Sequence, residues 1–154
     1  MERLILLAIA VIRILTIVVG IFIAFKFKGF FHKIISLGLI ISVLFAWIDN
    51  RYALISILIM ILLAMTTFIY GLTIKDIHIL ERISIIVMGL FLTVSPISKL
   101  MHWPVAGQLK LLMILPIIIT LASFIKCRKL TKEMSFMILW LYYALLTFLR
   151  FWIY

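Results

Sequence analysis

Ser95, Lys99 and His102 stand at i, i+4 and i+7 within "SPISKLMHWPVAGQLK", residues 95–110. On a continuous α-helix that spacing puts all three on one face. Three readings of the trio compete. A serine beside a lysine can act as nucleophile and base, but no third group at a recognised spacing supports that pair here. Lys99 and His102 can relay a proton or an ion, since ionisable groups inside a membrane are functional candidates from the outset. The third reading is mechanical and is the one preferred: Lys99 snorkels along its stem, Trp103 anchors at the headgroups, and Pro104 sits in the first turn of the next helix. Pro96 lacks an amide hydrogen and crowds the carbonyl one turn back, so a kink is expected there, with Thr93 and Ser95 serving the freed groups. Gly107 is expected to let helices approach closely.

Arg13 is the other candidate. It lies near the middle of an apolar run, where a charge costs about 2.5 to 3.5 kcal/mol on insertion scales. Its functional reading is a contact with an anion or carboxylate inside a bundle. Structural pairing or snorkelling is preferred, because no span carries an acid at matching depth; the nearest in prospect is Asp49, at the outer end of the second run.

The elements that must position these residues follow from composition. The chain has 154 residues, 68% hydrophobic and 13% charged, with a mean hydropathy of +1.39. Soluble domains run at about 45 to 50% apolar and about 25% charged, so a water-soluble fold of this length could not hide so much apolar surface. Apolar runs long enough to cross a bilayer need about 20 residues, and lipid-facing backbone must satisfy its own hydrogen bonds, which leaves helices where no barrel alternation is seen. The expectation is an all-α, polytopic transmembrane bundle forming a single membrane domain over 1–154. Charges and helix stoppers place six spans at about 4–25, 30–48, 52–74, 83–101, 105–125 and 134–154. The first is expected to remain as a span rather than be removed as a signal peptide, because Arg13 interrupts it and no small-residue cleavage site follows before Lys26.

The short breaks "KFKG", "DNR", "KDIHILER", "HWPVAG" and "KCRKLTKE" leave no soluble domain between spans. Lys26, Lys28, Lys33, Lys75, Arg82, Lys126, Arg128, Lys129 and Lys132 fall on one side; Arg3, Arg51, Lys99, Lys110 and Arg150 fall on the other. Positive-inside bias then puts both termini outside the cytoplasm of a bacterial inner membrane. Trp47, Trp103 and Trp152 fall at the outer edge as interface anchors, with Tyr52 and Tyr154 beside them. A net charge of +10 would suggest nucleic acid for a soluble protein, but here the basic residues are divided among separate loops, so nucleic acid is not an expected partner. The expected partners are the lipid bilayer and either other membrane proteins or further copies of the chain.

"RILTIVVGIFIAF" from Arg13 and "RISIIVMGLFLTV" from Arg82 match at Arg, Ile, Ile, Val, Gly and Phe in one register. A true duplication would make an inverted pair of three-helix halves, an arrangement common among transporters. Chance identity between two Ile-rich helices is the preferred explanation. The lone cysteine, Cys127, excludes an internal disulfide and a cysteine cluster, and between Lys126 and Arg128 it is expected to stay an unmodified thiol rather than carry a palmitoyl chain. No P-loop, HExxH, paired intramembrane acids or Cys/His cluster is present, so no catalytic residue, cofactor or metal is expected.

The stretch "GLFLTVSPISKLMHWPVAG" resembles the first hairpin of the GldL-type inner-membrane proteins of the gliding-motility and type IX secretion motor of Bacteroidetes. The matching positions are Gly89, Lys99, His102, Trp103, Pro104 and Ala106. The resemblance implies a turn facing the periplasm, in agreement with the charge bias. It does not extend to the family's mechanism: the next helix, "LKLLMILPIIITLASFI", lacks the family's membrane glutamate, and Val105 stands where the family has glycine. The function expected is a small helical subunit or scaffold of a membrane complex; the alternative is a small transporter with Arg13 and Lys99/His102 lining a solute or proton path.

Overall fold

The computed structural model of the chain describes residues 2–26, 29–48, 52–127 and 131–151. Among them the regular structure is helical throughout: α1 Glu2–Lys26, α2 Phe30–Ile48, α3 Ala53–Thr73, α4 Ile79–Leu100, α5 Ala106–Leu112, α6 Ile114–Cys127 and α7 Lys132–Phe151. Helix α3 packs most extensively on α4, α2 lies between α1 and α3, and α6 lies against α4. Helix α7 touches α1, α2, α4, α5 and α6, and so closes the bundle. Its Phe136, Met137, Trp140 and Ala144 are fully buried beside Leu39 of α2, Met60 of α3, and Met88 and Leu92 of α4.

Stretches 6–26, 53–73, 79–100 and 106–126 are long and apolar enough to cross a membrane, while 30–45 and 135–148 are shorter apolar helices. Two boundaries differ from the sequence expectation. Helix α4 begins at Ile79 rather than at 83, because His78 caps it: its Nδ1 accepts the Leu80 N–H at 3.2 Å. This brings Glu81 and Arg82 into the first turn instead of a loop. Arg82 reaches back to the open end of α3, its Nε donating to the Gly71 carbonyl at 3.1 Å and its Nη2 to the Leu72 carbonyl at 2.8 Å. Those carbonyls have no intrahelical partner, and a cation there also meets the negative end of the helix dipole.

The run 105–125, expected as one span, is matched by one apolar stretch, 106–126, long enough to cross a membrane, but its helix is interrupted at Met113 between α5 and α6. Pro116 accounts for the break, since it cannot donate to the Leu112 carbonyl and its ring crowds that group. Pro96, by contrast, sits inside an unbroken α4. Thr93 Oγ1 donates to the Gly89 carbonyl at 2.7 Å, so it does not serve the Leu92 carbonyl that Pro96 frees.

Apolar side chains fill the core and also cover the outside, and hydroxyl groups are buried among the core residues. Thr16, Ser42, Ser56, Thr67, Ser84, Ser98, Thr120 and Ser123 are buried, while Leu7, Phe22, Leu62 and Ile118 are exposed on the outside. The buried hydroxyls stitch helices together: Ser42 and Ser56 exchange bonds between α2 and α3, with Ser56 Oγ donating to the Ser42 carbonyl at 2.8 Å and Ser42 Oγ to the Ser56 carbonyl at 3.1 Å. Ser84 Oγ and Thr120 Oγ1 lie 2.9 Å apart between α4 and α6. Close approach has its own device at Gly89, where an added Cβ would lie 2.6 Å from the Phe68 backbone nitrogen.

The two glycines aligned by the repeat have unlike surroundings. Gly20 faces the Ile40 side chain of α2, whereas Gly89 faces the backbone of α3.

Candidate functional site

The polar stretch after Ser95 forms a helix end and a turn. Helix α4 stops at Leu100, and His102 takes a left-handed backbone with φ 53°. The His102 N–H donates to the Lys99 carbonyl at 3.2 Å and the Trp103 N–H to the Ser98 carbonyl at 2.9 Å. This crossed pair is a Schellman termination, with His102 in the position where glycine is most frequent. The Ala106 N–H then donates to the Trp103 carbonyl at 3.0 Å, which puts Pro104 second in a β-turn, where its locked φ is favoured.

Three expectations for this stretch are therefore corrected. His102 is outside the helix, so it does not continue the Ser95–Lys99 face: Ser95 is buried, while Lys99 and His102 are exposed. Pro104 precedes helix α5 by a turn rather than lying in its first turn, and Gly107 has open space around it instead of a neighbouring helix. The His102 ring folds onto its own turn, with Nδ1 3.1 Å from the Leu100 carbonyl. A carbonyl only accepts, so Nδ1 carries the proton in that bond. Trp103 is half exposed; the Trp47 side chain and Trp152, with Tyr154 and Asp49, lie outside the described residues.

Because a left-handed conformation costs a residue with a Cβ roughly 1 kcal/mol, His102→Gly is expected to raise the melting temperature of the purified protein, and His102→Val to lower it. A His102→Gly protein that melts earlier would show that the ring matters more than the backbone it occupies.

Arg13 lies elsewhere. With Ser42 and Val43 of α2, Ser56 of α3, and Tyr143, Leu146 and Thr147 of α7, it lines a cavity of about 30 Å³. That is the room of about one water molecule. Four helices meet here, at the end of the bundle shared by the first half of α1, the last turns of α2, the first turn of α3 and the last turns of α7. The Ser42–Ser56 pair forms part of the wall, and Thr147 Oγ1 is already bonded to the Tyr143 carbonyl at 3.0 Å. Hydroxyl groups and a guanidinium thus line a space the size of one small polar guest. Lys99 and His102 do not line it. The structure thus separates the two halves of the expected path, joining Arg13 to hydroxyl groups rather than to Lys99 and His102.

The reading of the sequence passed over Ser42, Ser56, Tyr143 and Thr147. A signal was present, for Ser42 and Ser56 are isolated hydroxyls in otherwise apolar stretches. What pairs them is the α2–α3 register, which no local pattern encodes.

Among the described residues, fold and site together describe an all-helical bundle with buried hydroxyl groups in an apolar core and an apolar exterior. No protein-family model matches the chain, and neither a curated protein nor a solved structure matches it.

Proposed function

We propose that the protein is a multi-pass inner-membrane bundle, crossing the bilayer six times with both termini outside the cytoplasm, and that it serves as a small helical subunit of a membrane complex. The observation that carries this reading is the apolar exterior: Leu, Ile and Phe face outward, while buried hydroxyl groups bond between helices inside an apolar core. In water such an exterior would form an aggregating apolar patch; in lipid it is the expected surface, and small or hydroxyl-bearing residues hold the helices together. The basic loops between α1 and α2, α3 and α4, and α6 and α7 support the orientation. The likeness of the 89–107 stretch to an outward-facing motor hairpin agrees with it.

A subunit role is favoured over a solute path because the Arg13 cavity has room for about one water. The transporter reading keeps one observation in its favour, namely a guanidinium lining a cavity inside the bundle.

Extraction in a mild detergent is expected to bring down a defined membrane-protein partner or a defined oligomer. Recovery of a lone monomer under several gentle conditions, together with solute uptake that is lost in Arg13→Leu, would replace the subunit with the transporter. For the orientation, a cysteine introduced as Gln108→Cys is expected to react with an impermeant reagent in cells with a permeabilised outer membrane, and protection there would reverse it.

A further inference from the structure

At the end of the bundle opposite the Arg13 cavity, the last turns of α1, α3 and α6 meet the first turns of α2, α4 and α7. Tertiary contacts hold them level. The Phe31 ring stacks on Tyr70 at 4.0 Å and meets Phe136 edge-on at 5.7 Å, joining the start of α2 to the end of α3 and the start of α7. Arg82 joins the start of α4 to the same end of α3. Lys126, at the end of α6, lines one cleft with Asp76, Glu81 and Glu133.

Two properties coincide at this end. The first is charge: nine basic residues, Lys28, Arg128 and Lys129 among them, stand against three acids, Asp76, Glu81 and Glu133. Arg82 is spent on the carbonyls of α3, but Lys26, Lys33, Lys75 and Lys126 are exposed. The second is protrusion. Among the described residues the most exposed large apolar side chains are Phe25 at 86%, Phe30 at 80%, Ile125 at 77% and Ile79 at 71%, and all of them lie here. Each exposed lysine has one of them as a neighbour. Phe25 adjoins Lys26, Ile125 adjoins Lys126, Ile79 follows Lys75 by four residues, and Phe30 precedes Lys33 by one turn on the outer face of α2. Lys26 Nζ lies 5.1 Å from the centroid of the exposed Phe22 ring, which puts the ammonium on the outer surface.

Positive-inside bias accounts for lysines in these connections, but not for protruding apolar side chains beside them. An ammonium at headgroup height is met by phosphate, and an apolar side chain just beside it by the upper part of an acyl chain. One lipid molecule supplies both. A zwitterionic headgroup brings its own cation to that level and leaves the excess charge unanswered. We infer that this end of the bundle gathers a ring of anionic phospholipids, phosphate diesters of an uncharged alcohol. Their phosphates contact Lys26, Lys33, Lys75 and Lys126, while their acyl chains cover Phe25, Phe30, Ile79 and Ile125. An acidic protein would cover one sector, whereas these pairs stand on α1, α2, α6 and the α3–α4 connection. The inference rests on the membrane-spanning reading of the bundle.

The test places the full chain in phosphatidylcholine vesicles at low ionic strength with a trace of spin-labelled phosphatidylglycerol or spin-labelled phosphatidylcholine. The readout is the fraction of label immobilised on the protein. Phosphatidylglycerol is expected to be favoured about two- to fivefold, the upper figure corresponding to about 1 kcal/mol from one lysine near a headgroup. High salt is expected to remove most of that preference by screening. Combining Lys26→Gln, Lys33→Gln, Lys75→Gln and Lys126→Gln is expected to reduce it by about half or more, with little change in melting temperature because all four side chains are exposed. Should that variant not fold, Lys33→Gln alone is expected to lower the preference more than Lys99→Gln at the opposite end. The inference is overturned by equal immobilisation of the two labels, or by a preference unchanged in whichever of these variants folds. Loss of the preference to inorganic phosphate, at an ionic strength where chloride leaves it intact, would also overturn it by showing a site for the free anion. Immobilisation of neither lipid would remove the membrane reading and this inference with it.

Discussion

Gly89→Ala is expected to lower the stability of the purified protein by about 1 to 3 kcal/mol, the cost of forcing atoms into a well-packed core. The Cβ it introduces would lie 2.6 Å from the Phe68 nitrogen and 2.8 Å from its Cα. Those are backbone atoms, so no rotamer change can make room and α3 must move off α4. That interface is the most extensive in the bundle, and helix association in lipid depends on such close packing rather than on hydrophobic expulsion. The same change at Gly107, where nothing lies within 4 Å, is expected to be neutral or to stabilise by up to about 1 kcal/mol through helix propensity and lower unfolded-state entropy. Thermal melts of the two variants side by side check the pair. Equal melting temperatures would mean that α3 and α4 do not meet at Gly89.

Trp140→Ala is expected to have a still larger effect, on the order of 3 to 5 kcal/mol, and to reduce the yield of folded protein. Trp140 is fully buried and heads the bulky side chains of the core. It reaches from α7 to α3, its indole N–H donating to Thr67 Oγ1 at 3.0 Å, while Thr67 Oγ1 itself donates to the Leu63 carbonyl at 2.8 Å. In a bilayer the gain from leaving water is small, but a cavity still forfeits its dispersion contacts outright. Trp140→Phe removes the N–H together with part of the indole ring, so it should cost about 1 kcal/mol for the neutral hydrogen bond plus the cost of the small cavity left behind, still less than Trp140→Ala. In a double-mutant cycle, Thr67→Val should add little to Trp140→Phe if that bond is the link between α3 and α7. Full additivity would show that the indole's contribution is packing alone.

Much of the helical layout was legible in the chain. Apolar runs bounded by "KFKG", "DNR" and "KCRKLTKE" mark where α1, α2, α6 and α7 begin or end, because a charge or a glycine is costly within such a run and cheap at its edge. The exceptions are instructive. "KDIHILER" reads as a loop by charge, yet its second half is helix, since His78 supplies a cap and Arg82 finds the carbonyls of α3. Pro96 and Pro116 look alike in sequence, yet only the second accompanies a broken helix. The chemistry ascribed to Ser95, Lys99 and His102 rested on a helix continuing past Leu100. His102 ends it instead, by taking the left-handed conformation that the crossed hydrogen bonds require.

Composition and the spacing of charges sufficed for the helical class and for four stretches able to cross a membrane, because those properties depend on the free energy of each residue in its own segment. Which polar side chains meet was decided by tertiary structure alone. Arg13 with Ser42, Ser56 and Thr147 at one end, and Glu81 with Asp76 and Glu133 at the other, come together across helices distant in sequence. Their meeting depends on how far each helix slides and turns against its neighbours, and that is set by contacts such as Gly89 on Phe68 and Trp140 on Thr67.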